Sequence, residues 1–468
     1  MDMKHEGNKR GGAGREMPVT RRIVRDLQMQ IESGRLSGGM KLPSIRELAE
    51  QYQISTAVTL AAYRELESRG FVERRAGSGT FVAGKGQNPG NSFFNWGNVL
   101  PVLETEEFLK EVAPEVAFFS FPATEYSYSP HYMEWLNSRN SDGEMNPGFG
   151  AVNDGQLACL ARKGTLLPLD DFLDNSAVLR RECFPETLLR GMSWNGKLYA
   201  LPVIFRPTLF FFNRRIFREA GIPEPDRDWS WQDLFERTRL LTRQENGRVS
   251  RYGLAVLFVL NTYASFVFQN NGELFDHNGN CVINSDRAYE ALSFFSELFM
   301  LPGCCSHHHF GETRVSLVEL LNNDLAAMLI GDAVDYFLLR ERMPAGDWGM
   351  VRLPGRNNHT AGLSIRGIGL TAGGRAGERF RMLEKFFSSE RYPAYCRRLL
   401  GFAGYGAAGV ELPEPILEIL PETSTSRGSS SPNASNALQE TIEVVFEHRL
   451  PLTRKQCAEF ERRINRRL

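Results

Sequence analysis

Apolar and polar positions alternate with two periods near the start of this chain. Ile45, Leu48, Ala49 and Tyr52 fall on one helical face. Val58, Leu60, Ala61, Tyr63 and Leu66 supply a second helix. Ser44 with Glu47 three residues on reads as a capping box that opens the first helix. Gln53-Ile54 turns the chain, Ser55 or Thr56 caps the next helix, and Gly70 ends it. Residues 71–75 and 80–82 then alternate as two short strands. Gly77 and Gly79 permit the positive φ of the turn between them.

The predicted order is helix, tight turn, helix, hairpin, which is a winged helix-turn-helix. In such a unit the second helix lies in the DNA major groove with its N-terminal residues toward base edges.

Beyond residue 90 the pattern changes to short apolar runs alternating with amphipathic helices, which predicts an α/β fold. Strands are expected at 93–96, 116–121, 150–153, 199–203 and 209–213. Helices are expected at 106–112, 288–300, 380–388, 438–448 and 453–468. The stretch 84–91, GKGQNPGN, has three glycines and a proline and reads as a linker. Residues 1–17 are polar and Gly-rich and read as a disordered arm. Residues 424–435 form a serine-rich loop.

Charge sharpens the division. Residues 1–90 hold 15 Lys+Arg and 10 Asp+Glu, a net of +5. The remainder holds 40 and 46, a net of −6. A basic head on an acidic body suits DNA binding, since phosphate contacts supply most of the affinity. At 468 residues, two or three domains are expected. No apolar run reaches membrane-spanning length, and the start shows no apolar core of a signal peptide. The seven cysteines are scattered and odd in number, which favours a reducing cytoplasm over a disulfide framework.

Residues 18–83 resemble the GntR family of bacterial transcription regulators. The resemblance rests on IESGRLSGGMKLPSIRELA, with Arg46-Glu47-Leu48-Ala49, and on the AGSGTFV wing. It implies a DNA contact at Arg46. The family's recognition helix opens with Ser-Arg before Thr-Val. Here Ser55 is followed by Thr56, Ala57 and Val58, so that arginine is missing. Base readout is therefore expected from Ser55, Thr56 and Thr59, supported by Arg64 and by Arg75, Ser78, Gly79 and Thr80 of the wing. A homodimer on a two-fold double-stranded operator is the expectation.

Residues 92–468 resemble the family 1 extracellular solute-binding proteins of sugar importers. The carrying run is WNGKLYALPVIFRPTLFFFNRRIFREAGIPEPDRDWSW, with Asn213, Ala220-Gly221-Ile222, Pro225 and Trp229 or Trp231. Tyr252-Gly253-Leu254, Asn271-Gly272 and the DLAAMLIG run of 324–331 continue it. The implied fold is a type II clamshell of two α/β lobes. The first lobe is expected at about 92–205 and 366–415, the second at about 206–365, with the helices of 436–468 packing back across both. Chain crossings are expected near 202–208 and 361–369. A solute-binding fold joined to a DNA reader implies a cytoplasmic sensor with a carbohydrate effector.

Sugars are held by aromatic faces and by polar side chains. Trp96, Tyr126, Tyr128, Asp154 and Arg206 fall where a cleft is expected. The family's stacking tryptophan after the Ala-Met strand is absent, since Gly331-Asp332-Ala333 stands there, and Asp332 or Tyr336 is the expected substitute. Arg206 leaves open an acidic sugar.

His307-His308-His309 beside Cys304-Cys305 lacks metal-ligand spacing. No phosphate loop or nucleophile triad appears, so no catalysis, metal or cofactor is expected. The rival is a GntR-type regulator with an aminotransferase-like domain, which needs a Schiff-base lysine. After residue 90 only Lys110, Lys163, Lys197, Lys385 and Lys455 are present, and none has the strand-to-loop setting unexplained by the solute-binding pattern. A third reading is a large domain that only mediates protein contacts.

Overall fold

In the computed structural model the chain divides into two compact units, Met1–Asn88 and Pro89–Leu468. The structure describes residues 20, 23, 24, 27, 31, 41–52, 54–68, 71–75, 79–82, 92–96, 99–121, 148–306, 314–372, 375–406, 412–425, 434–447 and 449–466.

In the first unit, helix α1 (Ile45–Gln51) opens on the expected capping box. The Ser44 hydroxyl accepts from the Glu47 amide at 3.2 Å, and the Glu47 carboxylate accepts from the Ser44 amide at 2.7 Å. Two amides that a helix start leaves open are thereby satisfied. Helix α2 (Thr56–Ser68) buries Ala62, Tyr63 and Leu66, and the Tyr63 hydroxyl donates to the Pro43 carbonyl at 2.6 Å. Strands β1 (Val72–Arg75) and β2 (Gly79–Val82) pair antiparallel, Arg75 opposite Gly79. Gly79 holds a φ of +113°, which L side chains rarely adopt. Ile23, Val24 and Leu27 are helical and complete a core with Leu42, Leu48, Val72 and Val82.

Beside a short hairpin of Ser193–Trp194 with Lys197–Leu198, the described residues of the second unit form two large sheets. The first is made from β3 (Ser92–Trp96), β4 (Ala117–Phe121), β5 (Phe149–Asn153), β6 (Leu201–Pro207), β13 (Ala361–Leu370), β14 (Phe402–Ala403) and β15 (Thr423–Ser424). Its order is β14-β6-β13-β5-β3-β4, with β15 beside β13. The second is made from β7 (Leu209–Asn213), β8 (Arg243–Glu245), β9 (Arg248–Val256), β10 (Cys304–Ser306), β11 (Ala326–Gly331) and β12 (Trp348–Val351). Its order is β8-β9-β11-β7-β12, with β10 beside β9. β7 and β11 are buried along their whole length, as their unbroken apolar runs predict for central strands. Asn213 ends β7, caps the following turn through Arg215 N at 2.9 Å, and donates to the Leu321 carbonyl at 2.8 Å.

The helices that frame these sheets include α3 (Val102–Val112), α4 (Asp154–Arg162), α5 (Glu186–Gly191), α6 (Trp231–Leu241), α7 (Leu260–Gln269), α8 (Asp286–Met300), α9 (Ala333–Arg342), α10 (Tyr392–Arg398), α11 (Ala434–Glu447) and α12 (Arg454–Asn465). Each sheet with its helices is one lobe. β6 passes through Thr208 into β7, and the chain returns from β12 into β13. All of β13 pairs within the first sheet, from Ala361 onward, and β15 extends that sheet to Ser424. The sequence-expected lobe boundaries of 365/366 and 415 therefore sit inside or short of first-lobe elements.

The two final helices are expected to pack back across both lobes, and among the described residues their hydrogen bonds to the lobes go to the second. Cys457 Sγ donates to the Ile283 carbonyl at 3.1 Å, and Asn465 brackets Cys281 at 2.7 and 3.0 Å. Ser296 Oγ lies 3.0 Å from both Leu450 O and Leu452 N.

Candidate functional site

In the first unit, Arg46, Ser55, Thr56 and Arg64 are exposed. Ser55 Oγ accepts from Val58 N at 3.3 Å, so the start of α2 presents Ser55 and Thr56 together. Thr59 does not join them. It is fully buried, with its hydroxyl turned back to the Ser55 carbonyl at 3.4 Å. It lies on the core face of α2 and is removed from the base-reading set. Thr80 is 7% exposed and its carbonyl accepts from Leu42 N at 2.8 Å, so it too is a framework residue. Gly79 is exposed at the turn end of β2. Arg75 contributes its backbone to the ladder, and Ser78 lies outside the described residues.

The wing is tied to α2. Arg74 Nε donates to Glu67 at 2.8 Å and its Nη2 lies 2.7 Å from the same carboxylate oxygen. The Arg74 hydrogen bond holds the Glu67 carboxyl below its usual range.

In the second unit, first-lobe candidates gather at one end of the first sheet. Asn153 ends β5 and caps α4, accepting from Gln156 N at 2.9 Å. Asp154 follows, and one of its oxygens accepts from Ile365 N at 2.9 Å, locking α4 to β13. Arg206 sits opposite Ser364 in the β6–β13 register, and its guanidinium donates to the Leu399 carbonyl at 2.5 Å, where α10 ends. Arg366 is opposite Asn153. Ser364 and Arg366 are two apart, so they share a face with Arg206 and Asn153. Ile365 points the other way, its Cδ1 2.2 Å from where a Cβ on Gly191 would lie. Sequence reading missed Arg366. Its signal is visible afterwards as polar residues at alternate positions of an otherwise apolar strand.

The second lobe brings Asp332 and Tyr336 to the C-terminal end of β11. Asp332 caps α9, accepting from Val334 N at 2.8 Å and donating its own amide to Asp335 at 2.9 Å. Tyr336 is 7% exposed and packs, tilted or edge-on, in an aromatic group that crosses the lobes. Its ring lies 5.4 Å from Phe402 of β14 and 6.1 Å from Trp348, and Phe337 also lies 5.4 Å from Phe402. Gln439 of α11 donates to the Phe258 carbonyl just past β9 at 3.4 Å. Trp96 ends β3 with its backbone opposite Phe121. Tyr126 and Tyr128 lie outside the described residues.

The lobes meet at a tight crossing. Thr208 N donates to Gly362 O at 2.8 Å, Gly362 N donates to Ser265 Oγ at 2.8 Å, and a Cβ on Gly362 would sit 2.3 Å from the Asn261 carbonyl oxygen. On the Ile365 side of the crossing is a polar cavity of about 770 Å³, lined by both lobes and including Arg190, Glu273, His277, Glu422 and Thr425. Arg206 and Arg366 face the opposite side. Among the described residues no group of three or more His, Cys, Asp or Glu is placed to hold a metal ion. His307, His308 and His309 lie outside the described residues. Among those residues no helix is long and apolar enough to cross a membrane.

Comparison with known proteins agrees with this two-part construction. Residues 19–82 match the family described as bacterial regulatory proteins, gntR family. Residues 149–375 match the family described as bacterial extracellular solute-binding protein. An arabinooligosaccharide-binding protein of Bacillus subtilis is 30% identical over 174 residues, 35% of this chain and 38% of that protein. The HTH-type transcriptional repressor NagR of Bacillus subtilis is 40% identical over 67 residues, 14% of this chain and 28% of that protein. The chain thus spans well under two thirds of either relative.

Among solved structures, an ABC substrate-binding protein from Listeria monocytogenes in complex with cycloalternan superposes with a TM-score of 0.62 at 17% identity, covering 81% of this chain and 98% of that one. The sugar-binding protein MalE from Xanthomonas citri gives 0.64 at 15%, covering 80% and 96%. The chain therefore joins a segment that matches the gntR regulator family to a domain with the fold of sugar-importer binding proteins.

Proposed function

We propose that this protein is a ligand-responsive transcription regulator, whose first unit binds an operator and whose second senses a carbohydrate between its lobes. The observation that supports the reading is the register at the Thr208 crossing: Arg206 lies two residues before it in the first sheet, and Gly331, next to Asp332, pairs with Leu209 just after it in the second. Hydroxyl recognition suits the carboxylates of Asp154 and Asp332, and Arg206 with Arg366 favours a sugar bearing a negative group. A DNA-reading unit requires the compartment that holds DNA, so the protein acts in the cytoplasm, as a homodimer on a two-fold site. A ligand shifts such a system only by its differential affinity for the two lobe arrangements.

The test is a thermal-shift panel of mono- and oligosaccharides, uronates and pyridoxal phosphate on the purified full chain. Binding to the native state raises its melting temperature. A saturable rise with one sugar, lost in Arg206→Ala, supports the reading. A rise and an absorbance band only with pyridoxal phosphate, or no rise with any sugar, overturns it.

A further inference from the structure

The wing of the first unit has a third strand-like partner that the sequence did not announce. Lys41 pairs antiparallel with Phe81 of β2, and Leu42 N donates to Thr80 O at 2.8 Å beside it. The register sends the Lys41 side chain along the outer face of the hairpin toward its turn. Its Nζ stands 6.0 Å from the Phe81 ring centroid. A Cβ on Gly79 would lie 3.0 Å from Lys41 Cε and 3.7 Å from Nζ.

The ammonium is therefore parked at the turn end of the wing, beside Gly79. Lys41 is exposed, and no ion pair to it occurs among the described residues. Lys41 acts electrostatically on the Glu47 carboxylate, which is already committed to the Ser44 cap. An exposed cation propped on a ring at a wing tip, in a unit of net +5, has a polyanion as its natural partner.

We propose that Lys41 is a DNA-backbone contact: its ammonium, seated over Phe81 beside Gly79, neutralises a phosphate next to the wing and sets how the wing lies on the duplex. This rests on the DNA-binding reading of the first unit. Phosphate contacts position a protein without reading sequence, so the effect is uniform across sequences and visible without knowing the operator.

The experiment is fluorescence anisotropy of the full chain on a labelled duplex of about 30 base pairs of mixed sequence, over about 50 to 300 mM NaCl. The slope of log affinity against log salt counts neutralised phosphates. Lys41→Gln should lower that slope by about 0.9 for each head engaged, and Lys41→Arg should restore it. Lys110→Gln, an equal loss of charge in the other unit, should leave it unchanged. Circular dichroism melts of the variants separate contact loss from unfolding. A Lys41→Gln slope equal to that of the wild type overturns the lysine while leaving the DNA reading intact. A wild-type chain that binds no duplex overturns both.

Discussion

The guanidinium of Arg352 straddles the carboxylate of Glu422, with Nη1 3.2 and 3.3 Å from its two oxygens. Arg352 leaves the end of β12 in the second lobe and Glu422 precedes β15 in the first, so this pair joins the lobes outside the covalent crossings. Asp228 at 3.0 Å and the Arg227 carbonyl hold the same guanidinium from the second lobe. Removing one partner of such a set costs about 1–2 kcal/mol. Arg352→Ala should therefore lower the main calorimetric transition by about 2–4 °C. An unshifted transition would mean that the pair holds nothing together.

Gly362 admits no side chain. A methyl group there meets the Asn261 carbonyl at 2.3 Å, and backbone cannot swing aside as a side chain can. Gly362→Ala should cost about 1–3 kcal/mol by overpacking and should be read by urea unfolding. Gly346, which has open space around its Cβ position, is the control site and should tolerate alanine.

Two threonines three residues apart in α2 should separate cleanly. Thr56 is exposed and Thr59 is fully buried. Thr56→Ala should weaken operator binding with the fold unchanged. Thr59→Val should shift stability by about 1 kcal/mol or less and leave operator sequence preference as it was. A selection from random duplexes reads both, and altered preference in the Thr59 variant would contradict its burial.

The capping box gives a pH signature. The Ser44 amide, then its hydroxyl, hold the Glu47 carboxyl below its ordinary value. A group depressed in the folded state stabilises above its unfolded pKa, about 4.3, and that contribution is lost as pH falls through the folded value. Hydrogen exchange of the 44–52 amides should accelerate below about pH 4.3 beyond the intrinsic trend. In Glu47→Gln that excess should vanish.

Thiol chemistry should single out one cysteine. Burial pushes the Cys281, Cys304, Cys396 and Cys457 thiols up to about 12, and raises Cys159 and Cys305 as well. Only Cys183 is partly exposed. Since the thiolate is the reacting form, a disulfide reagent near neutral pH should modify Cys183 quickly and the other six only on denaturation. Rapid reaction at Cys304 or Cys305 would show that β10 opens.

What the sequence disclosed and what it withheld differ by range. The Ser44–Glu47 box, the β7 run ending at Asn213 and the span of α8 are local facts, set by residues within a few positions of one another. Thr59 was misplaced because a helix of thirteen residues with mixed small side chains leaves its buried face ambiguous by about one position. The lobe boundaries moved because β13 belongs to the sheet that Pro202, Phe205 and Gly150 build around it, and pairing partners so distant leave no local trace. The final helices show an apolar face but not which lobe it meets. Arg366 was passed over because a lone arginine in a strand carries no functional mark until its register places it opposite Asn153, on the face that carries Arg206.

β13 also dictates an order of assembly. It lies between β5 and β6, two strands made long before it, and every strand of the second sheet is synthesised in the interval. A nascent chain that has emerged only as far as Val351 therefore carries a complete second sheet beside a first sheet missing its centre. Its β5 and β6 edges have no neighbour at that stage, and unpaired edges recruit other chains. Ribosomal pausing or truncation short of Leu370 should thus send this protein toward aggregation rather than toward a half-active fragment.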